Sequence, residues 1–66
     1  MNWRDHIHTD PNVLLGKPVL KGTRLSVELI LELYGSGWTE QMLLDSYPSL
    51  TRDSLQAVFH YVQDCL

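Results

Sequence analysis

The chain has 66 residues, a net charge of −3 and one cysteine, Cys65, which excludes an internal disulfide and suits a reducing compartment. One domain, residues 1–66, is expected, burying only roughly 60% of its unfolded surface and gaining from association. No apolar run nears the roughly 20 residues that span a bilayer and MNWRDHIHTD is no signal peptide, so a soluble cytoplasmic protein without membrane contact is expected.

Charge is uneven. Four cations against two carboxylates give residues 1–24 a net +2, while Arg52 against six carboxylates leaves residues 25–66 at −5. The acidic total argues against a generic nucleic-acid binder, yet one end is basic.

The first third reads as extended. HIH at 6–8 alternates around Ile7, and Thr9-Asp10-Pro11-Asn12 is a turn cluster. Residues 16–27, GKPVLKGTRLSV, gather glycine, proline and the cations Lys17, Lys21 and Arg24 into a platform for a polyanion or a partner protein. Within it, Pro18-Val19-Leu20 and Thr23-Arg24-Leu25 read as arms of a short hairpin across Lys21-Gly22.

Three helices follow, each with a start signal. Ser26 caps VELILELY, a central and mostly buried helix with Glu28 and Glu32 on one exposed strip, ended by Gly35 and Gly37. Thr39 caps the second, with Trp38 placed to staple onto Leu43, and Tyr47-Pro48 stops it. Thr51 caps the third, whose spacing predicts a core face of Leu55, Val58, Phe59 and Val62. The expected fold is mainly α, a trihelical helix-turn-helix (homeodomain-like or winged) preceded by a short N-terminal strand and a β-hairpin.

In a DNA-reading helix-turn-helix the third helix enters the major groove. Its outward stripe here is Arg52, Gln56, His60 and Gln63, and arginine and glutamine suit guanine and adenine edges. Asp53 and Asp64 border the stripe and oppose phosphate, and a merely solvated helix face looks the same. Lys17, Lys21 and Arg24 are the candidate phosphate contacts. Arg24 has a structural alternative, an ion pair with Glu28 four residues on.

Taken together, GKPVLKGTRLSV, Gly37, YPSLT at 47–51 and LQAVFHYV resemble the antitoxin-like domain of unknown function 433 family, from about Asp5 to Tyr61. Gly16, Lys17, Pro18, Gly22, Thr23, Arg24, Val27, Tyr47, Pro48, Leu50 and Thr51 match its pattern residue by residue. Leu15 stands where the first of two glycines is usual, and Ser26 where proline is common. The resemblance implies an antitoxin of a bacterial two-gene module that neutralises a small PIN-like nuclease toxin and binds operator DNA. The alternatives are a protein-binding adaptor and an orphan helix-turn-helix transcription factor, and salt-sensitive operator binding separates DNA binders from an adaptor.

No catalytic residue, metal or cofactor is expected. His6 and His8 lack further ligands, Cys65 lacks a fixed base, and no nucleophile–base pair stands out. Trp3, Leu14 and Leu15 are candidate toxin contacts, left over once the small core is filled. A homodimer or higher oligomer is expected, through the N-terminal strand and the last helix with Tyr61, Cys65 and Leu66.

Overall fold

A computed structural model describes residues 2–65. Isolated Ile7 and the PVL run come together first: β1 (Ile7–His8) pairs antiparallel with β2 (Val19–Leu20), Ile7 opposite Leu20 and His8 opposite Val19. The helices α1 (Val27–Gly35), α2 (Glu40–Ser46) and α3 (Arg52–Cys65) follow. The domain is thus three helices preceded by a two-stranded antiparallel unit, in the class expected from the sequence.

The hairpin closes differently from the expected Lys21-Gly22 loop. The β2 segment lies between two neighbours, with β1 on one edge and residues 25–27 on the other, where Leu20 N–H donates to Leu25 O (2.9 Å) and Val27 N–H to Pro18 O (3.0 Å). The loop therefore spans Lys21 to Arg24. Thr23 shapes it, donating its N–H and Oγ1 to Leu20 O and accepting the Leu25 N–H. Both β2 side chains are fully buried, so the sheet serves to carry Val19 and Leu20 under the helices.

Each helix starts at its expected cap: Ser26 Oγ accepts from Leu29 N–H, Thr39 Oγ1 from Met42 N–H and Thr51 Oγ1 from Ser54 N–H, at 3.0 to 3.2 Å. Gly37, at φ +98°, ends α1: its N–H reaches Tyr34 O and the Trp38 N–H reaches Leu33 O, satisfying two terminal carbonyls. The core gathers Ile7, Leu20, Ile30, Leu43, Leu55 and Val58.

Two expected faces are rotated. The α1 helix buries Val27 and Ile30 but leaves Leu31 at 36% exposure, so it is half-buried rather than central. In α3 the buried side is Ser54, Leu55, Ala57 and Val58; Phe59 is 50% exposed and Val62 only half-buried. Small Ser54 and Ala57 let α3 sit close to the core, which turns Phe59 toward solvent.

Candidate functional site

Residues 13–17 form a tight knuckle. Gly16 N–H donates to Val13 O (3.1 Å) and Lys17 N–H to Leu14 O (3.2 Å). Closing both bonds in so few residues takes Leu14 (φ 49°), Leu15 (φ 57°) and Gly16 (φ 81°) into the left-handed region. For a residue with a Cβ that conformation costs roughly 1–2 kcal/mol. Leu15 is 94% exposed and Leu14 45%, so neither leucine offsets that strain by burial. A glycine, usual at position 15 in the resembled pattern, would take this backbone without strain. Of the three residues expected to meet a toxin, Trp3, Leu14 and Leu15, this pair is what the fold presents outward.

Trp3 and Tyr61 sit differently. The Trp3 ring meets Tyr61 edge-on at 4.9 Å, its indole N–H donates to the Asp64 carboxylate, and the Arg4 guanidinium lies 4.4 Å from its centre. Both aromatics are half-buried against one another, which docks the 3-10 turn Trp3–Asp5 on α3. They are held within the fold instead of standing free for a partner. Cys65 is exposed, and Leu66 lies outside the described residues.

The cations divide into two groups. Lys17 Nζ lies 3.2 Å from Glu28 Oε2, so the carboxylate expected to hold Arg24 is taken by Lys17 instead. Arg52 Nε lies 3.2 Å from Glu40 Oε1. Lys21 and Arg24 are exposed, and among the described residues neither lies within 4.0 Å of a carboxylate. Lys21 N–H bonds His6 O, next to the 3-10 turn that docks on the C-terminal half of α3. Arg52 starts α3, nine residues before Tyr61 or about 13 Å along its axis, so the loop cations and Arg52 are not gathered at one end of that helix.

A cluster that sequence spacing did not reveal stands where the three helices meet. Glu40 opens α2, Arg52 opens α3, and Phe59 on α3 lies 5.1 Å from the Tyr34 ring near the end of α1. Burial, then the Glu40 charge, pushes the Tyr34 phenol above its usual value of 10.0. Residues 52, 56, 59 and 63 share one side of a helix, so exposed Phe59 sits inside the stripe of Arg52, Gln56 and Gln63. His60 is exposed beside it. Helical spacing predicts Phe59 on the core face of α3, so nothing in the sequence marks it as part of this exposed cluster.

Among the described residues no three His, Cys, Asp or Glu side chains converge on a possible metal site. No helix among them is long and apolar enough to cross a membrane.

The family model described as "Protein of unknown function (DUF433)" matches residues 7–62. The crystal structure of a DUF433 member protein from Anabaena variabilis superposes with a TM-score of 0.87 at 30% identity, covering 92% of this chain and 60% of that one. The chain therefore spans about three-fifths of that relative's length. No curated protein matches it.

Proposed function

Because this chain belongs to the DUF433 family, and because its small helical scaffold presents a strained leucine pair, we propose that it is a non-catalytic binding domain, the antitoxin of a bacterial two-gene toxin–antitoxin module. Its partner is a small PIN-like nuclease toxin, neutralised by direct docking. Leu15 carries the assignment: a leucine 94% exposed at φ 57° is held in an unfavourable conformation that its own side chain does nothing to offset by burial. Such strain is typical of residues whose contacts form with a partner. Seating Leu15 in an apolar pocket would return roughly 1.5–3 kcal/mol. Two residues on, Lys17 is held only by an exposed carboxylate, so a nuclease's acidic site competes for it on favourable terms.

Co-expression with the adjacent gene product tests this. A co-purifying complex and relief of growth arrest are expected; a neighbour that neither binds nor is neutralised rules the assignment out.

A second reading, operator binding, is favoured by Lys21 and Arg24, which among the described residues sit unpaired beside a glycine turn that lets a phosphate approach the backbone. Titration of the protein against its own promoter decides it: binding that weakens with salt supports it, and no binding at low salt leaves the toxin-binding role alone.

A further inference from the structure

We propose that a second copy of this chain covers the Tyr34–Phe59 face, forming a two-fold dimer in which Arg52 of each protomer meets Glu40 of the other. Phe59 is 50% exposed although its ring is braced by Tyr34 at 5.1 Å, and Leu31 stands exposed one turn earlier on α1. Arg52 shares the α3 side of Phe59 about two turns away, and arginine with aromatic residues is the composition enriched at the energetic centre of protein interfaces.

The rim charges identify the occupant. Glu40 and Arg52 lie 3.2 Å apart with side chains 47% and 74% exposed, so the face carries one charge of each sign. A two-fold interface must complement itself, and a patch bearing both signs does so. Nucleic acid is disfavoured here, since a phosphate reaching Arg52 also meets Glu40 and the exposed Asp53 in the first turn of α3. The guanidinium, bonded to Glu40 through Nε, has five N–H donors in all and can accept a second carboxylate. This dimer goes beyond the toxin-binding role and does not depend on it, because the Leu14–Leu15 knuckle is a separate surface. It takes up the α3 stripe, leaving Lys17, in its weak exposed ion pair, with Lys21 and Arg24 as the cations available to an anionic ligand.

Sedimentation velocity over the micromolar range, on the full chain and on Arg52→Glu and Glu40→Arg, tests the proposal. The wild type should form a reversible dimer. Each reversal places like charges across the two-fold and should weaken self-association at least about tenfold. An equimolar mixture of the two variants should recover dimerisation, because each then supplies the charge the other lacks. Mixing cannot repair an ion pair within one chain, so a purely structural role would not produce that recovery. Phe59→Gln, shown by circular dichroism to be folded, should be monomeric at the same concentrations. A wild type monomeric at high micromolar concentration, reversal variants that dimerise as tightly as wild type, a mixture that stays monomeric, or a dimeric Phe59→Gln would each overturn the proposal. So would duplex DNA protecting this face on a monomer.

Discussion

Trp3 donates its indole N–H to the Asp64 carboxylate, 61 positions along the chain, and sets its ring edge-on against Tyr61. The contact ties the beginning of the chain to the last turns of α3. A 3-10 turn of three residues has little stability of its own, so this docking is what holds Trp3–Asp5 in place.

Trp3→Phe keeps the ring contact and loses the hydrogen bond, at a cost of about 1 kcal/mol. Trp3→Ala loses both and should cost about 2–3 kcal/mol, less than a fully buried tryptophan because Trp3 is only half-buried. In a domain of this size each kcal/mol lowers Tm by roughly 4–8 °C. Thermal unfolding followed by circular dichroism reads this, and a Trp3→Ala variant melting with the wild type would contradict the docking.

Leu15→Gly isolates the strain at the knuckle. Glycine gains roughly 1–2 kcal/mol by accepting the left-handed backbone and loses roughly 0.5–1 kcal/mol through the freer unfolded chain. Urea unfolding should therefore find the variant as stable as wild type or slightly more so. Leu15→Val, β-branched at the same φ of 57°, should be clearly less stable. Equal stability of all three would mean that the backbone there is relaxed.

The helix caps differ in consequence. Thr51 Oγ1 accepts the Ser54 N–H and also bonds Ser54 Oγ at 3.0 Å, and Ser54 is only 8% exposed. Thr51→Ala thus removes a cap and orphans a buried hydroxyl, costing about 2 kcal/mol. Thr39→Ala removes a cap among exposed residues and should cost about 1 kcal/mol or less. Chemical denaturation of the pair would contradict this if Thr39→Ala proved the more damaging.

Those caps were legible because a cap is local: Ser26, Thr39 and Thr51 each act within three residues of themselves. The pairing of β1 with β2 was not, because a two-residue strand carries almost no pattern and its partner lies twelve residues away. Phe59 was misplaced for a related reason. Helical spacing identifies a face but not the neighbour that sets its rotation, and here the small side chains of Ser54 and Ala57 decide it. Glu40 and Arg52, twelve residues apart on different helices, could be joined only by the fold. At the knuckle the leucine pair was visible as surplus apolar surface, while its left-handed backbone was not.

Alkaline pH should expose the Tyr34 environment. Burial and the Glu40 charge raise its pKa above 10.0, so the fold favours the neutral phenol. Below that value the contribution is fully present; as pH climbs through the raised folded pKa, the unfolded chain has already lost its proton and stability falls. Tyrosinate absorbance should show a late-titrating component, moved toward lower pH by Glu40→Gln. No movement would place Glu40 too far from the phenol to act.

If operator DNA is bound, salt dependence should count the cations. Lys17 and Arg52 leave only exposed, weak ion pairs, so with Lys21 and Arg24 four contacts remain available on a chain that has not dimerised through α3. The plot of log affinity against log salt should then slope near −3 to −4, and Lys21→Ala should flatten it by about one unit. A slope unchanged by Lys21→Ala would remove the loop from the interface. A wild-type slope no steeper than about −3 that Arg52→Ala leaves unaltered would show that α3 is covered.

Leu15 is the proposed toxin contact, so the most direct measurement titrates this protein into nucleic-acid cleavage by the purified product of the neighbouring gene. Wild type should inhibit stoichiometrically, while Leu15→Gly, folded at least as stably, should need at least about tenfold more protein, matching the loss of one buried leucine. Inhibition by Leu15→Gly at the wild-type concentration, or no inhibition by the wild type, would contradict that role.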